Sequence, residues 1–266
     1  MRLEVLSREP ASGAREVPLL FVHGAWHGAW CWEDNFLPYF AQQGYRVRAL
    51  SLRGHGESER PRHFKTMRIA RYVDDVAEVA RGLPAAPVVI GHSMGGLVVQ
   101  KYLERHPARA AILLAPVPPS GVLRTTLSIA GRHPLRFLRA NATWSLAPLV
   151  NTPGLTREAF FTRDTDESLV HATFARIQDE AYWAFLDMLA FNLPRPRRVR
   201  RKSVPMLVLG GARDGIFIPR EGEHTARAYR AQYQLFPGMG HDLMLDTGWQ
   251  QVADRMLAWL RDLVRR

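Results

Sequence analysis

Gly91-His92-Ser93-Met94-Gly95 is a Gly-x-Ser-x-Gly stretch. The apolar run Val88-Val89-Ile90 precedes it, and a helix-forming run from Gly96 to Glu104 follows. Strand, tight turn and helix is the setting in which this spacing exposes a serine hydroxyl as a nucleophile. Glycine at 91 and 95 lets neighbouring backbones pass closely. A helix start beside Ser93 offers partial positive charge to a developing anion. The bland alternative is a glycine turn with an idle serine.

A serine hydroxyl is a weak nucleophile at neutral pH. It needs a base within hydrogen-bond reach, and the base needs an orienting acid. Of the ten histidines, His241 is the candidate base, in Gly238-Met239-Gly240-His241 after the last predicted strand. His92 should point to the opposite side of the turn from its neighbour, and His23 should brace the loop after its strand. His63, His106, His133 and His171 have no motif around them. The candidate acid is Asp214, in a Gly-Ala-Arg-Asp-Gly turn after the run Met206 to Gly210. A turn aspartate that satisfies its own backbone is the alternative there. Asp179 and Asp187 lie in a helical stretch and suit the role less. Asp242 and Asp246 are close to His241 in sequence and are expected to cap or support the terminal helix. One oxyanion donor is expected from the N–H of Met94. The other should come from the loop after Leu19–Val22, where Gly24 permits close approach.

The elements that must hold these residues alternate. Residues 2–9, 19–22, 45–50, 88–90, 110–114, 206–210 and 233–236 read as strands. Residues 33–43, 68–82, 96–104, 220–231 and 250–264 read as helices, with Pro38 a caution in the first. This predicts an α/β fold, a mostly parallel sheet with helices on both faces. The alternation fails from 117 to 200. That segment has helical stretches at 122–131, 156–161 and 166–192, broken by Pro134, Pro148 and Pro153.

Bulk properties bound the rest. The chain has 266 residues and is 47% hydrophobic, enough for one large domain. No run approaches the ~20 apolar residues of a membrane span. The first ten residues lack the apolar core of a signal peptide, so a cytoplasmic location is expected. Cys31 is the one cysteine, which excludes an internal disulfide. The formal charge of +11 comes mainly from arginine spread along the chain. No zinc-finger or RNP-type pattern accompanies it, so nucleic acid is not expected as a partner. The dense run from Arg195 to Lys202 reads as a solvated linker. A patch attracting acidic substrates is its alternative. No metal-ligand spacing occurs, and the glycine-rich turns lack a phosphate-binding signature, so no metal or cofactor is expected.

Five motifs in order carry a resemblance: His23-Gly24, Gly54-His55-Gly56, Gly91 to Gly96, Gly211 to Asp214 and Gly238 to His241. Together they resemble the α/β-hydrolase superfamily over nearly the whole chain. The stretch from His23 to Trp32 is similar to the plant methylesterase and hydroxynitrile lyase group and to related bacterial esterases. The resemblance implies a hydrolase core at 1–116 and 201–266 with a helical cap at 117–200. It implies a triad of Ser93, Asp214 and His241, and assigns the second oxyanion donor to the N–H of Ala25. Ser51 stands where the family often has an aspartate that supports a loop. Within the superfamily, serine at 93 disfavours the branches with an aspartate nucleophile. Gly24 stands where the lyases carry threonine, and Asp242 where they carry lysine and the carbon–carbon hydrolases often tryptophan. The expected activity is therefore serine hydrolysis of a carboxylic ester. Lactone, thioester or amide cleavage, acyl transfer, lyase chemistry and a non-catalytic receptor role are the alternatives. The aromatic residues of the insertion suggest an apolar pocket of a few hundred Å3, with Trp26 either lining it or packing near Trp32. The expected partner is a small-molecule ester, with the chain a monomer or homodimer and no stable membrane insertion.

Overall fold

Short β-branched and leucine-rich runs become strands because both their faces find helices to cover them. The strands are β1 (Val5–Arg8), β2 (Leu19–Val22), β3 (Val47–Leu50), β4 (Val88–His92), β5 (Ala110–Leu114), β6 (Met206–Gly211) and β7 (Gln232–Phe236). They form one sheet in the order β1-β3-β2-β4-β5-β6-β7. Only β1 is antiparallel. The computed structural model describes residues 1–264.

The helices of the sheet are α1 (Phe36–Gln42), α2 (Ile69–Arg81), α3 (Met94–Leu103), α10 (Pro219–Tyr229) and α11 (Trp249–Val264). Successive strand residues point to opposite faces. Leu19 and Phe21 pack with α1 and α11, through Phe36, Phe40, Val252 and Met256. Leu20 and Val22 pack with α2, α3 and α10, through Tyr72, Leu97 and Ala226. Pro38 lies in the first turn of α1, where a missing N–H costs least.

Between β5 and β6 run α4 (Leu123–Arg132), α5 (Pro134–Thr143), α6 (Pro153–Phe160), α7 (Glu167–Arg176), α8 (Tyr182–Leu186) and α9 (Pro196–Arg200). Two expectations change here. Pro134 and Pro153 start helices at the first position instead of breaking them, as do Pro196 and Pro219. The arginine run is not a linker but α9. Val199 is buried, the N–H of Arg195 donates to Glu104 at 2.8 Å, and the Arg198 guanidinium lies 3.7 Å from the same carboxylate.

In the sheet, β2 lies between β3 and β4, so the strand order reverses there. The loops leaving β2 and β4 therefore diverge at their C-terminal ends and leave a crevice, the usual ligand position in open α/β sheets.

Candidate active site

Ser93 is the hinge between β4 and α3, at φ 52° and ψ −118°. A non-glycine residue there is strained, and the surroundings must hold it. They do. The N–H of Ser93 donates to Leu114 at 3.0 Å, and its carbonyl accepts from Val117 at 3.1 Å. A side chain at Gly95 would press on the carbonyls of Val22 and His23, and one at Gly91 on the backbone of Gly95 and Gly96. The two glycines are small for the reason the motif suggests.

Asp214 and His241 meet from the loops after β6 and β7. Oδ2 of Asp214 accepts from Nδ1 of His241 at 2.8 Å, with both side chains buried. Oδ1 of Asp214 accepts from the N–H groups of Ile216 and Phe217 at 2.7 and 2.9 Å. The turn role and the histidine contact thus coexist, one on each oxygen. Since a carboxylate only accepts, Nδ1 carries the proton and Nε2 is left with its lone pair. Nε2 of His241 has no hydrogen-bond partner among the described residues. The bond between Ser93 and His241 is therefore not made in this state. Such bonds are commonly long before substrate arrives.

The histidine loop is clamped from the insertion. The N–H groups of His241 and Asp242 both donate to the carbonyl of Phe160, at the end of α6, at 2.9 and 3.0 Å. Phe217 packs against the His241 ring with centroids 5.5 Å apart.

The N–H of Met94 opens α3, where helix geometry leaves it without an intrahelical acceptor. Ala25, Trp26, Ser93 and Met94 share the wall of one cavity. Val122 just before α4, Thr125 and Ile129 within it, and Phe185 and Met188 also line it. Its volume is about 70 Å3, smaller than the few hundred expected. Trp26 lines this cavity and packs on Phe160 at 5.8 Å.

The other sequence candidates are accounted for. Nδ1 of His23 donates to the Gly24 carbonyl at 2.8 Å, and its Nε2 accepts from the N–H of Leu52 at 2.9 Å, bracing two loops. Asp187 is buried against Arg68 and accepts from the N–H of Ile69 at the start of α2. Asp179 accepts from the N–H groups of Leu146 and Ala147. Ser51 accepts from Ala29 and donates to Glu4, so it supports a loop as an aspartate there would. Asp246 serves both ends: its side chain accepts from the N–H of Gly240 at 2.9 Å and fastens the histidine loop, while its carbonyl accepts from the N–H of Trp249 at the start of α11 at 2.9 Å.

Asp242 is the larger correction. It does not support the terminal helix. Its carboxylate is buried, with Oδ2 3.0 Å from Nε2 of His27 and Oδ1 3.5 Å from Nε2 of His92. His92 lies closer to the site than expected, its ring centroid 4.7 Å from that of His241. Its Nε2 donates to the His241 carbonyl at 3.1 Å, and burial, then the neighbouring His241, pushes the ring down to about 3, which makes it a poor base. His92, His241 and Asp242 bring three ligand-type atoms within 4.8 Å of one another. His241 is already engaged by Asp214 and Asp242 by His27, so the group reads as a proton-holding network and not as an ion site.

Sequence reasoning also missed a buried group of His55, Glu180 and Tyr72. Nε2 of His55 lies 3.1 Å from Glu180, and the Tyr72 hydroxyl donates to the same carboxylate at 2.7 Å. These residues join the Gly54-His55-Gly56 loop to the insertion. No local pattern connects three positions so far apart.

A family model described as "Alpha/beta hydrolase family" matches residues 19–255. The chain belongs to the alpha/beta hydrolase family. Among curated relatives, it is 37% identical over 112 residues to a bifunctional esterase/perhydrolase of Acinetobacter calcoaceticus, covering 40% of each chain. It is 33% identical over 95 residues to Methylesterase 10 of Arabidopsis thaliana, covering 35% of this hydrolase and 34% of that one. In both cases it spans well under two thirds of the relative's length. A thermophilic esterase from Thermogutta terrifontis shares the fold with a TM-score of 0.75 at 21% identity, over 98% of this chain and 93% of that one.

Proposed function

We propose that this hydrolase cleaves carboxylic esters through an acyl-enzyme on Ser93. The observation that carries the reading is the buried Asp214–His241 contact, which leaves Nε2 of His241 free. Ser93 supplies the nucleophile in the wall of an apolar cavity. His241 takes the Ser93 proton as the oxygen attacks the ester carbonyl, then gives it to the departing alcohol. Asp214 holds the ring in the tautomer this requires and stabilises the imidazolium that forms. The N–H groups of Met94 and Ala25 stabilise the tetrahedral oxyanion; each such donor is typically worth ~3 kcal/mol in the transition state. Water then repeats the sequence on the acyl-serine and releases the acid.

The segment 117–200 acts as the cap, with α4 forming one side of the substrate cavity. A cavity of about 70 Å3 favours a small apolar acyl or alcohol group. Hydrolysis of p-nitrophenyl esters of increasing chain length tests this. Rates should be highest for acetate and butyrate and lower by at least ~10-fold for dodecanoate. Equal rates across the series would remove the size argument.

A second reading rests on the esterase/perhydrolase relative. Hydrogen peroxide in place of water would attack the same acyl-serine, giving a peracid and free Ser93. Peracid formation from acetate ester and peroxide, measured beside hydrolysis, separates the two.

A further inference from the structure

A chain of buried polar contacts runs behind the site. Nδ1 of His27 lies 2.8 Å from the carbonyl of Ala25. A carbonyl can only accept, so this nitrogen carries a proton. The other ring nitrogen, Nε2, faces Oδ2 of Asp242 at 3.0 Å, with both side chains fully buried. One further proton must therefore lie between His27 and Asp242. On the other side, Nε2 of His92 donates to the carbonyl of His241 at 3.1 Å and lies 3.5 Å from Oδ1 of Asp242. The path thus begins at the peptide of Ala25, the proposed oxyanion residue. It passes through one carboxylate and ends at the residue before the nucleophile and at the base itself.

We propose that Asp242 is a positioning residue for ester hydrolysis, its buried carboxylate fixing the oxyanion loop through the hydrogen bond to His27 while its other oxygen packs beside His92, the ring bonded to the His241 carbonyl. The inference rests on the acyl-enzyme reading above. Leaving such a carboxylate in the protein interior requires a strong partner. Burial alone would raise the Asp242 carboxyl, but the charge and hydrogen bond of His27, with His92 and His241, hold it below the ordinary value. Burial would likewise lower His27, but the charge and hydrogen bond of Asp242 raise it. The pair therefore sits as imidazolium and carboxylate. Trp30 stacks on the His27 ring at 5.1 Å and Phe160 meets it edge-on at 5.0 Å, closing the pair off from water. The titratable groups facing Asp242 are His27, His92, His241 and Cys31, with His23 and Arg176 one step further out.

Two measurements test the role. In the wild-type protein, nitrogen-15 spectra of the histidine rings should show both ring N–H protons of His27 still present at pH 7.5. A His27 that has lost one of them by that pH overturns the proposal, whatever the variants do. The second measurement is Asp242→Asn, with kcat taken per active site titrated by a fluorophosphonate. Expected are a ~10–100-fold lower kcat with a KM within ~2-fold, the split that lost alignment of the reacting groups gives. A kcat per titrated site within ~2-fold of wild type overturns it, even if the melting temperature falls. If Asp242→Asn does not fold, the wild-type spectra decide. If the wild type neither reacts with the fluorophosphonate nor cleaves esters, the acyl-enzyme reading fails instead, and the spectra show that separately.

Discussion

Ser93 is held at φ 52° by a turn whose glycines cannot be enlarged without collision, so its geometry is a property of the backbone and not of its hydroxyl. Ser93→Ala should fold normally and lower kcat by ~10⁶-fold, the scale of losing a serine nucleophile. Retained activity above a few per cent of wild type would exclude Ser93. Gly24 makes a second residue-scale case. A Cβ there would lie 2.8 Å from Nδ1 of His92 and 2.9 Å from Cβ of Ser93. Gly24→Thr should therefore disturb the elbow and cut esterase kcat/KM by more than ~10-fold, without creating cleavage of mandelonitrile. Benzaldehyde release from the variant above background would contradict this. Ser93, Asp214 and His241 were legible because each sits in a short local pattern and their order is informative. The partners of Asp242 were not. His27 is 215 positions away, and only folding brings the two together. The reading of Asp242 as a helix support followed sequence proximity, which the chain does not honour here.

At the scale of elements, the strands were legible because a doubly covered sheet demands continuous apolar runs. The insertion was less so. Pro134 and Pro153 read as breaks, yet each occupies the first helical position. A ring that cannot donate costs nothing there. Helix α4 presents Thr125 and Ile129 to the cavity, so it should set acyl size. Ile129→Ala should shift the preferred p-nitrophenyl ester toward longer chains with little change on acetate, as read from kcat/KM across the series. An unchanged profile would remove α4 from the acyl wall. Helix α9 carries exposed arginines outside the cavity wall. Neutralising Arg197 and Arg201 should leave kinetics on a neutral ester unchanged at any salt. A salt-sensitive loss on such an ester would assign the run a role in catalysis that its position does not suggest.

Over the whole molecule, buried histidines tie stability to pH. Burial, then the nearby His241 charge, pushes His92 down to about 3. Burial and then His55 lower His23 well below its ordinary value. In the unfolded chain both regain ordinary values near 6.5. Below that pH the unfolded state binds protons that the native state refuses. Stability is thus complete above about 6.5 and falls on acidification, by about 1.4 kcal/mol per pH unit for each group. Asp242, held low, adds a further loss only as pH falls through its depressed value. His27, held high, opposes neither trend in acid and loses its contribution as pH rises through its raised value. Urea midpoints should therefore drop clearly between pH 7.5 and pH 5. A flat profile, or greater stability at pH 5, would contradict the burial of neutral His23 and His92. The large charge of +11 adds self-repulsion in the same direction.

The claim on which the rest depends is a covalent acyl-serine at position 93. Rapid mixing with p-nitrophenyl butyrate, quenching in acid and measuring intact and peptide mass test it directly. Expected are one butyryl group per chain on the peptide carrying Ser93, a matching burst of p-nitrophenol, and neither in Ser93→Ala. Ester turnover with no adduct on Ser93, or the same adduct and burst in Ser93→Ala, would contradict it.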